Sequence, residues 1–451
     1  MIICVTIFLR LCMKFYAREQ ELQSLENQYS IIDSSAQMTV LTGRRRIGKT
    51  FLAAKYTKDK KIIYLFVSKK SETLLCKEFQ ELIQEKIDYP IVGSIFTFRE
   101  IFKLLLEVAK KEKLVVVIDE FQEFININPS VYSDLQNLWD NYKFESKMHV
   151  LFIGSIYSLM HKIFQNSKEP LFGRADKVIY LKPFSPKIIK QILIDNKEYT
   201  AENLFIIYLI TGGIPRYLEI LVNDQKFSEK LIIDYYFNEN SSFINEGKTI
   251  LIEEFGKEYG TYFSILELMS EGRTSRSEIE SILEKNIGGY LEKLETDYDL
   301  ICKNKPVGAK PTGKIQKYHI KDNFLKFWFR FIQINRSALE NGNYEYMKKY
   351  LYKYIQDYKG PILEKLYQEI FREKNLYNII GNYWERGNLN EIDLVAVNNL
   401  EKNILMAEVK MNLEKAKIND LTSKSMNLLK KYKDYKVQFL LLGMQNLKEY
   451  L

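Results

Sequence analysis

Three short apolar runs punctuate the first third of the chain: Met38-Thr39-Val40-Leu41-Thr42, Leu114-Val115-Val116-Val117-Ile118 and Val150-Leu151-Phe152-Ile153. They are continuous rather than alternating and rich in β-branched residues, which predicts strands covered on both faces, as in a parallel sheet flanked by helices. Between about residues 185 and 250 the apolar spacing changes to three and four, through Ile188-Ile189-Ile192-Leu193 and Leu204-Ile207-Leu209-Ile210, and predicts helices. Residues 261 to 320 predict two short amphipathic helices around Gly272 and a third through Tyr290-Leu291 and Leu294. Two strand-like pieces follow, Leu300-Ile301-Cys302 and Tyr318-His319-Ile320, on either side of a Lys/Gly/Pro-rich loop. Three helices and a ribbon in that order predict a winged-helix domain. From Asp322 to about Tyr358 the chain is crowded with Phe, Trp, Tyr and Lys. Aromatics can stack on nucleic-acid bases, but in so apolar a helical context they are expected to be core. Beyond them the pattern predicts a helix at Ile362 to Tyr367, a two-stranded hairpin near 391–410, a helix around Ile418 to Lys433 and a strand at Val437 to Leu442.

A chain of 451 residues exceeds one hydrophobic core. The expected division is an apolar leader at 1–13, an α/β core at 14–184, a helical lid at 185–250, a winged-helix domain at 251–321 and a second α/β fold at 322–451. The leader, Met1 to Cys12, is too short to span a membrane and lacks a basic n-region and a cleavage site. Translation is expected to start at Met13, with a membrane-surface anchor as the alternative, and no stable membrane insertion is expected. Cys4, Cys12, Cys76 and Cys302 are scattered, so neither a zinc site nor a disulfide framework is indicated, and a reducing cytoplasm fits. His149, His161 and His319 are scattered too and are expected in solvated or structural roles. The net charge of +8, from 66 basic and 58 acidic residues, permits nucleic-acid binding without requiring it.

The first apolar run leads into Gly43-Arg44-Arg45-Arg46-Ile47-Gly48-Lys49-Thr50, and Phe51-Leu52-Ala53-Ala54 then opens a helix. This is G-x-x-x-x-G-K-[ST] in its strand-loop-helix setting, a P-loop. Gly43 and Gly48 let the backbone turn its N–H groups inward, and with the positive helix end they form an anion nest for the phosphates of ATP. Lys49 is expected to reach the β/γ oxygens and Thr50 to hold Mg²⁺. The second run ends in Asp119-Glu120, a Walker B pattern, where Asp119 would orient Mg²⁺ and Glu120 would polarise the attacking water. The third ends in Gly154-Ser155, which places Ser155 as a γ-phosphate sensor. All three polar sites fall at carboxyl ends of strands, where open α/β sheets bind ligands.

Five segments in order, Phe15-Tyr16-Ala17-Arg18-Glu19-Gln20-Glu21-Leu22, the P-loop, Ile118-Asp119-Glu120-Phe121-Gln122, Leu171-Phe172-Gly173-Arg174 and Thr211-Gly212-Gly213-Ile214-Pro215-Arg216-Tyr217-Leu218, resemble the archaeal-type ATPases, an AAA-like branch of P-loop proteins. The resemblance covers about half the chain. It implies that Arg18 and Glu19 lie near the adenine, although Ala17 replaces the usual glycine. It also implies that Arg216 faces the nucleotide from the lid, and Arg174 is a second arginine that would stabilise the transferred phosphoryl group, within its own chain or on a neighbour.

A second group of charged residues lies near the C-terminus. Alternation in Glu391-Ile392-Asp393-Leu394-Val395-Ala396-Val397 puts Glu391 and Asp393 on one strand face, and Glu408-Val409-Lys410 puts Glu408 and Lys410 together on the next. Four charged groups are expected to converge across the hairpin, where carboxylates bind Mg²⁺ and a lysine positions water or steadies charge during phosphodiester hydrolysis. The pattern D-x14-E-x-K resembles the PD-(D/E)xK nuclease superfamily, with Ile392 in place of the proline. That resemblance implies a restriction-endonuclease-like fold and gives Glu364 as its helix carboxylate. The reading that follows is an ATPase coupling its nucleotide state to DNA binding or metal-dependent DNA cleavage. The alternative is a nucleotide-dependent switch acting through self-association or a protein partner, with the nuclease-like domain inert; a chaperone-like ATPase is a third.

Overall fold

The computed structural model describes residues 13–451 apart from 88, 92, 256–258, 311 and 314. The apolar leader and Lys314 of the ribbon loop therefore lie outside the described residues. The chain forms two compact units, one over Ala17–Lys182 and one over Pro183–Leu451 together with residues 13–16.

The first unit is built on five parallel strands: β1 (Gln37–Thr42), β2 (Ile62–Phe66), β3 (Leu114–Asp119), β4 (Met148–Ile153) and β5 (Lys177–Tyr180). They stand in the order β2-β3-β4-β1-β5. The three apolar runs are the central strands β1, β3 and β4, and every residue of each is buried. The outer strands β2 and β5 carry weaker patterns and were not singled out in the sequence. Helices α1 (Glu19–Ser30), α2 (Lys49–Thr57), α3 (Glu72–Lys86), α4 (Phe98–Lys111), α5 (Ser130–Tyr142) and α6 (Tyr157–Gln165) complete the unit. Helix α4 starts at a capping box in which Thr97 and Glu100 satisfy each other's backbone N–H groups. Its Phe98, Ile101, Phe102 and Leu105 join Val40, Val116 and Phe152 in one core.

The second unit opens with helices α7 (Pro186–Asp195), α8 (Ala201–Thr211), α9 (Pro215–Asn223), α10 (Glu229–Tyr236) and α11 (Phe243–Phe255). Between α8 and α9, Gly212 and Gly213 take positive φ values of 59° and 76°, and a Cβ on Gly213 would stand 2.1 Å from the Phe184 carbonyl oxygen. Pro215 then occupies the first turn of α9, where its missing N–H costs nothing. Helices α12 (Tyr259–Ser270), α13 (Arg276–Leu283) and α14 (Gly288–Thr296) precede an antiparallel ribbon of β6 (Ile301–Asn304) and β7 (Lys317–Ile320). Phe324, Phe327, Trp328, Phe329 and Phe331 of the aromatic segment, which includes α15 (Asn323–Phe327), are all buried at 1% exposure or less.

A 30-residue helix, α16 (Tyr344–Glu373), passes through Pro361 and leads to a mixed sheet of β8 (Ile379–Tyr383), β9 (Ile392–Asn398), β10 (Asn403–Val409) and β11 (Lys436–Leu442), with α17 (Ile418–Leu429) between the last two. The order is β11-β10-β9-β8; β9 is antiparallel to both neighbours and β11 is parallel to β10. The loop between β6 and β7 is not a free wing. The Val307 N–H donates to the Asn382 carbonyl at 2.9 Å, and the Val307 side chain joins Ile392, Val395, Leu421 and Leu428 in the core of this sheet. Lys431 donates to the Gly308 carbonyl at 2.7 Å. Lys303 and Lys317 of the ribbon are paired with Glu295 at 3.5 Å and Glu391 at 2.8 Å.

Candidate functional sites

The P-loop bridges β1 and α2. Gly48 has φ 91°, and Gly43 has φ 138° with so little room that a Cβ would come within 2.7 Å of the Leu181 carbonyl oxygen. Both positions therefore need glycine. Within the loop Arg44 and Arg45 are half-buried, Arg46 is exposed with φ 66°, and Ile47 is buried. The Lys49 ammonium donates to the carbonyls of Gly43 at 2.8 Å and Arg44 at 3.0 Å, which holds it inside the loop. Half-buried Phe51 follows Thr50 on α2. The Thr50 hydroxyl donates to Asp119 Oδ2 at 3.2 Å, and Tyr64 on β2 donates to the same oxygen. Burial pushes the Asp119 carboxyl up, and the Tyr64 hydrogen bond works against that rise.

Glu120 follows at φ 55°, so the strand has already turned, and its Oε2 accepts from Ser155 Oγ at 2.7 Å and from Gln122 Nε2. Gly154 leaves space for this arrangement, because a Cβ there would stand 2.2 Å from Met160 Sδ and 2.6 Å from Gln122 Oε1. Lys49 and Thr50 on the loop, Asp119 and Glu120 after β3, and Ser155 after β4 thus meet at one end of the sheet. Their hydroxyl and carboxylate oxygens suit Mg²⁺, and the glycine-lined loop suits phosphate.

The arginines are placed differently. Arg18 braces the loop: its guanidinium donates to the carbonyls of Ile47 at 3.4 Å and Lys182 at 2.6 Å and pairs with Glu21 at 3.1 Å. Arg174 is held by Asp140, with bonds of 3.1 and 2.9 Å, and by the carbonyls of Pro170 and Phe172. Arg216 belongs to the second unit and pairs with Glu219 at 2.8 Å on its own helix. Tyr64 and Gln122 were missed in the sequence. Tyr64 alternates with buried Ile63 and Leu65 on β2, a signal that was available once that strand was recognised.

In the second unit the β9–β10 hairpin brings Asp393, Glu408 and Lys410 together. Asp393 Oδ2 accepts from the Val409 N–H at 2.8 Å and from Lys410 Nζ at 3.0 Å, and the same ammonium is 3.2 Å from Glu408 Oε1. Asn382 and Gln368 fix the strand by donating to the Asp393 carbonyl at 2.8 and 3.3 Å. Asp393 and Glu408 are only 5% and 8% exposed. Burial opposes the charge on Lys410, yet the two carboxylates hold its pKa above the usual lysine range. Across from them on α16, burial and then the Asp393 charge push the Glu364 carboxyl up to about 8, with Lys410 working against the rise.

Glu391 stands only at the edge of the group: it precedes β9, is exposed and paired with Lys317, and reaches the site through its charge, which adds to the rise at Glu364. A residue not expected does join it. Lys424 of α17 donates to both Glu408 oxygens, at 3.0 and 3.2 Å. Among the described residues, no three His, Cys, Asp or Glu side chains are grouped to hold a metal ion. The donor chemistry, two buried carboxylates with a third opposite, suits a hard cation, but ammonium groups occupy the carboxylates.

A parallel sheet with the P-loop after β1 and an Asp-Glu pair after β3, with β4 between the two strands, defines the first unit as that of a P-loop ATPase. Residues 15–221 match a family model described as an ATPase domain predominantly from Archaea, and residues 328–421 match one for archaeal and bacterial proteins of unknown function. The uncharacterized protein MJECL04 of Methanocaldococcus jannaschii is 31% identical over 406 residues, covering 88% of this chain and 87% of its own length. The chain belongs to the same family as that protein, a family of archaeal-type ATPases with a C-terminal part of unknown function. Among solved structures, the Walker-type ATPase PABY2304 of Pyrococcus abyssi shares the fold at a TM-score of 0.55 and 18% identity, over 70% of this chain and 96% of that one. ORC2 of Aeropyrum pernix gives a TM-score of 0.46 at 15% identity, over 73% and 95%. Among the described residues no helix is long and apolar enough to cross a membrane.

Proposed function

We propose that this ATPase uses its nucleotide cycle to govern a metal-dependent phosphodiesterase site in the C-terminal sheet, with DNA as the substrate, in the cytoplasm. The observation that carries the reading is the meeting of Asp393, Glu408 and Lys410 on one buried hairpin. Clustered buried ionisable groups with shifted pKa values are a feature of functional sites, and the pairing that offsets their burial here is built from the same three residues.

In the ATPase unit Lys49 would hold the β- and γ-phosphates, Thr50 and Asp119 would hold Mg²⁺, Glu120 would orient the attacking water and Ser155 would sense the γ-phosphate. Helices α7 to α11 would form a lid carrying Arg216, and α12 to β7 a winged-helix domain. Arg18 would support the loop beside the adenine, and Arg174 would have to leave Asp140 to reach a phosphate. In the C-terminal part, read as restriction-endonuclease-like, Asp393 and Glu408 would hold a divalent cation with Glu364 opposite, and Lys410 would steady charge on the phosphoryl oxygens. When bound, the cation would lower the pKa of a water and polarise the phosphate.

The second reading, a nucleotide-dependent switch with an inert nuclease-like domain, is favoured by the lysines that cover both carboxylates. One experiment separates the two: the full chain is incubated with linear, single-stranded and branched DNA, with Mg²⁺ or Mn²⁺, with and without ATP, beside Asp393→Ala and Lys49→Ala. Cleavage lost in Asp393→Ala supports the nuclease, and its dependence on Lys49 supports gating by ATP. No cleavage of any substrate, with ATP turnover indifferent to DNA, overturns the proposal in favour of the switch.

A further inference from the structure

The carboxylates of the C-terminal site already have two counter-charges, and the two are held unequally. Lys410 sits between Asp393 Oδ2 at 3.0 Å and Glu408 Oε1 at 3.2 Å, and its own backbone N–H donates to the Leu442 carbonyl at 2.9 Å. It is bound to both carboxylates and to the sheet. Lys424 reaches in from α17 on a long flexible side chain and bonds Glu408 at both oxygens. Its placement follows from helix geometry, since Leu421, Ser425 and Leu428 form the buried stripe of α17 and Lys424 stands at the i+3 position beside it. Glu408 shares a strand face with Ile404 and Met406, which pack with Leu421 and Leu428 in the core cluster. A lysine on the inner side of α17 is thereby directed at Glu408.

The charge balance shows what this means for a cation. Asp393 and Glu408 ionised, with Lys410 and Lys424 protonated, sum to zero. A divalent cation added to that set would leave an excess of two positive charges, or of one with Glu364 ionised opposite, in a half-buried site, where like charges repel more strongly than in water. The cation and one ammonium therefore compete for Glu408, and Lys424 is the ammonium with the single attachment.

We propose that Lys424 is a built-in counter-cation: it occupies Glu408 while the site is metal-free and is displaced when a divalent cation binds, so that it sets the metal concentration at which the site fills. The inference rests on the reading of this hairpin as a metal site.

The test is Mn²⁺ binding by the full nucleotide-free chain, with free Mn²⁺ measured by electron paramagnetic resonance. Asp393→Ala identifies the component that belongs to this site. Lys424→Met, which keeps the aliphatic stem and removes the charge, is expected to bind Mn²⁺ about tenfold more tightly than wild type, in line with the loss of one adjacent like charge. Lys424→Arg is expected to stay at or below wild-type affinity. Lys424→Gln is the second neutral variant, used should the methionine not fold. An Asp393-dependent Mn²⁺ component of equal or weaker affinity in the neutral variants overturns the displacement while leaving the metal site standing. The absence of any Asp393-dependent component in wild type and neutral variants alike overturns the metal-site reading, and the inference with it.

Discussion

At the scale of single residues, the nucleotide site depends on a few groups whose surroundings fix what each substitution should do. Lys49 bonds carbonyls of its own loop and contributes little to the sheet core. Lys49→Ala is therefore expected to cut ATP turnover by about a hundredfold or more, the usual loss when a preorganised donor is removed, while leaving the thermal unfolding curve nearly unchanged. Phosphate release and circular dichroism on the same preparation check both halves. Gly154→Ala should do the reverse. Its Cβ would fall 2.2 Å from Met160 Sδ, so overpacking should cost about 1–3 kcal/mol of stability and disturb Glu120 as a secondary effect; urea unfolding measures the first.

His149 supplies a pH dependence. It is fully buried on β4, with Tyr56 OH at 2.7 Å from Nδ1 and Thr39 Oγ1 at 2.8 Å from Nε2, and burial lowers its pKa to about 3. The unfolded chain takes up this proton near the ordinary value of about 6.5, so the folded state binds fewer protons between those limits. The contribution is present above about pH 6.5 and is lost as pH falls toward 3, at about 1.4 kcal/mol per pH unit. Proton uptake on unfolding at pH 5.5 should drop by about one proton in His149→Gln; an unchanged uptake would contradict the burial. The residues that motif spacing singles out, Lys49, Thr50, Asp119, Glu120 and Ser155, were legible in the chain and stand together in the structure. Tyr64 and Lys424 were not legible, because each acts through a partner on another element and matches no motif, although Lys424 could have been noticed as a lysine on the inner side of an amphipathic helix; Gln122 lies inside a motif segment, but its bond to Glu120 was not read from it.

At the scale of elements, the fully buried strands β1, β3 and β4 were legible as apolar runs because both faces are covered. The outer strand β5 has an exposed start and a short span, which leaves little pattern to read. Pro361 illustrates a different difficulty. A helix read from the sequence begins just after it, yet α16 runs through it from Tyr344 to Glu373, since flanking packing can hold a helix across a proline that lacks one N–H. The β6–β7 ribbon appears where its strands were expected, but the docking of its loop depends on a sheet formed some 70 residues later and had no local signal. That docking has a measurable consequence. Val307 is 6% exposed within the cluster of Ile392, Val395 and Leu428, so Val307→Ala should destabilise the second unit by about 2 kcal/mol through lost burial and an unfilled gap. Faster amide exchange in residues 379–398 would accompany it, and unchanged exchange there would mean that the loop contributes nothing to the sheet.

At the scale of the whole molecule, the relevant fact is that the M. jannaschii relative aligns over 88% of this chain, well beyond the length of the ATPase unit. The proposed coupling between the ATPase unit and the C-terminal sheet carries a thermodynamic requirement. If a nucleotide changes the affinity of the chain for DNA by some factor, DNA must change the affinity for that nucleotide by the same factor. The measurement uses a non-hydrolysable ATP analogue and a metal-free duplex, so that neither ligand is consumed. DNA affinity is measured with and without the analogue, then analogue affinity with and without the duplex. Coupled function predicts two equal factors of about fivefold or more, together with DNA affinity that falls steeply with salt because counterions are released from the phosphates. Factors of one in both directions, with normal binding of each ligand alone, would separate the two activities and leave the ATPase acting on something other than the C-terminal site. Lys49→Ala makes the comparison sharper, because it should weaken the analogue and thereby reduce its effect on DNA at a fixed analogue concentration, without changing DNA affinity in the analogue's absence.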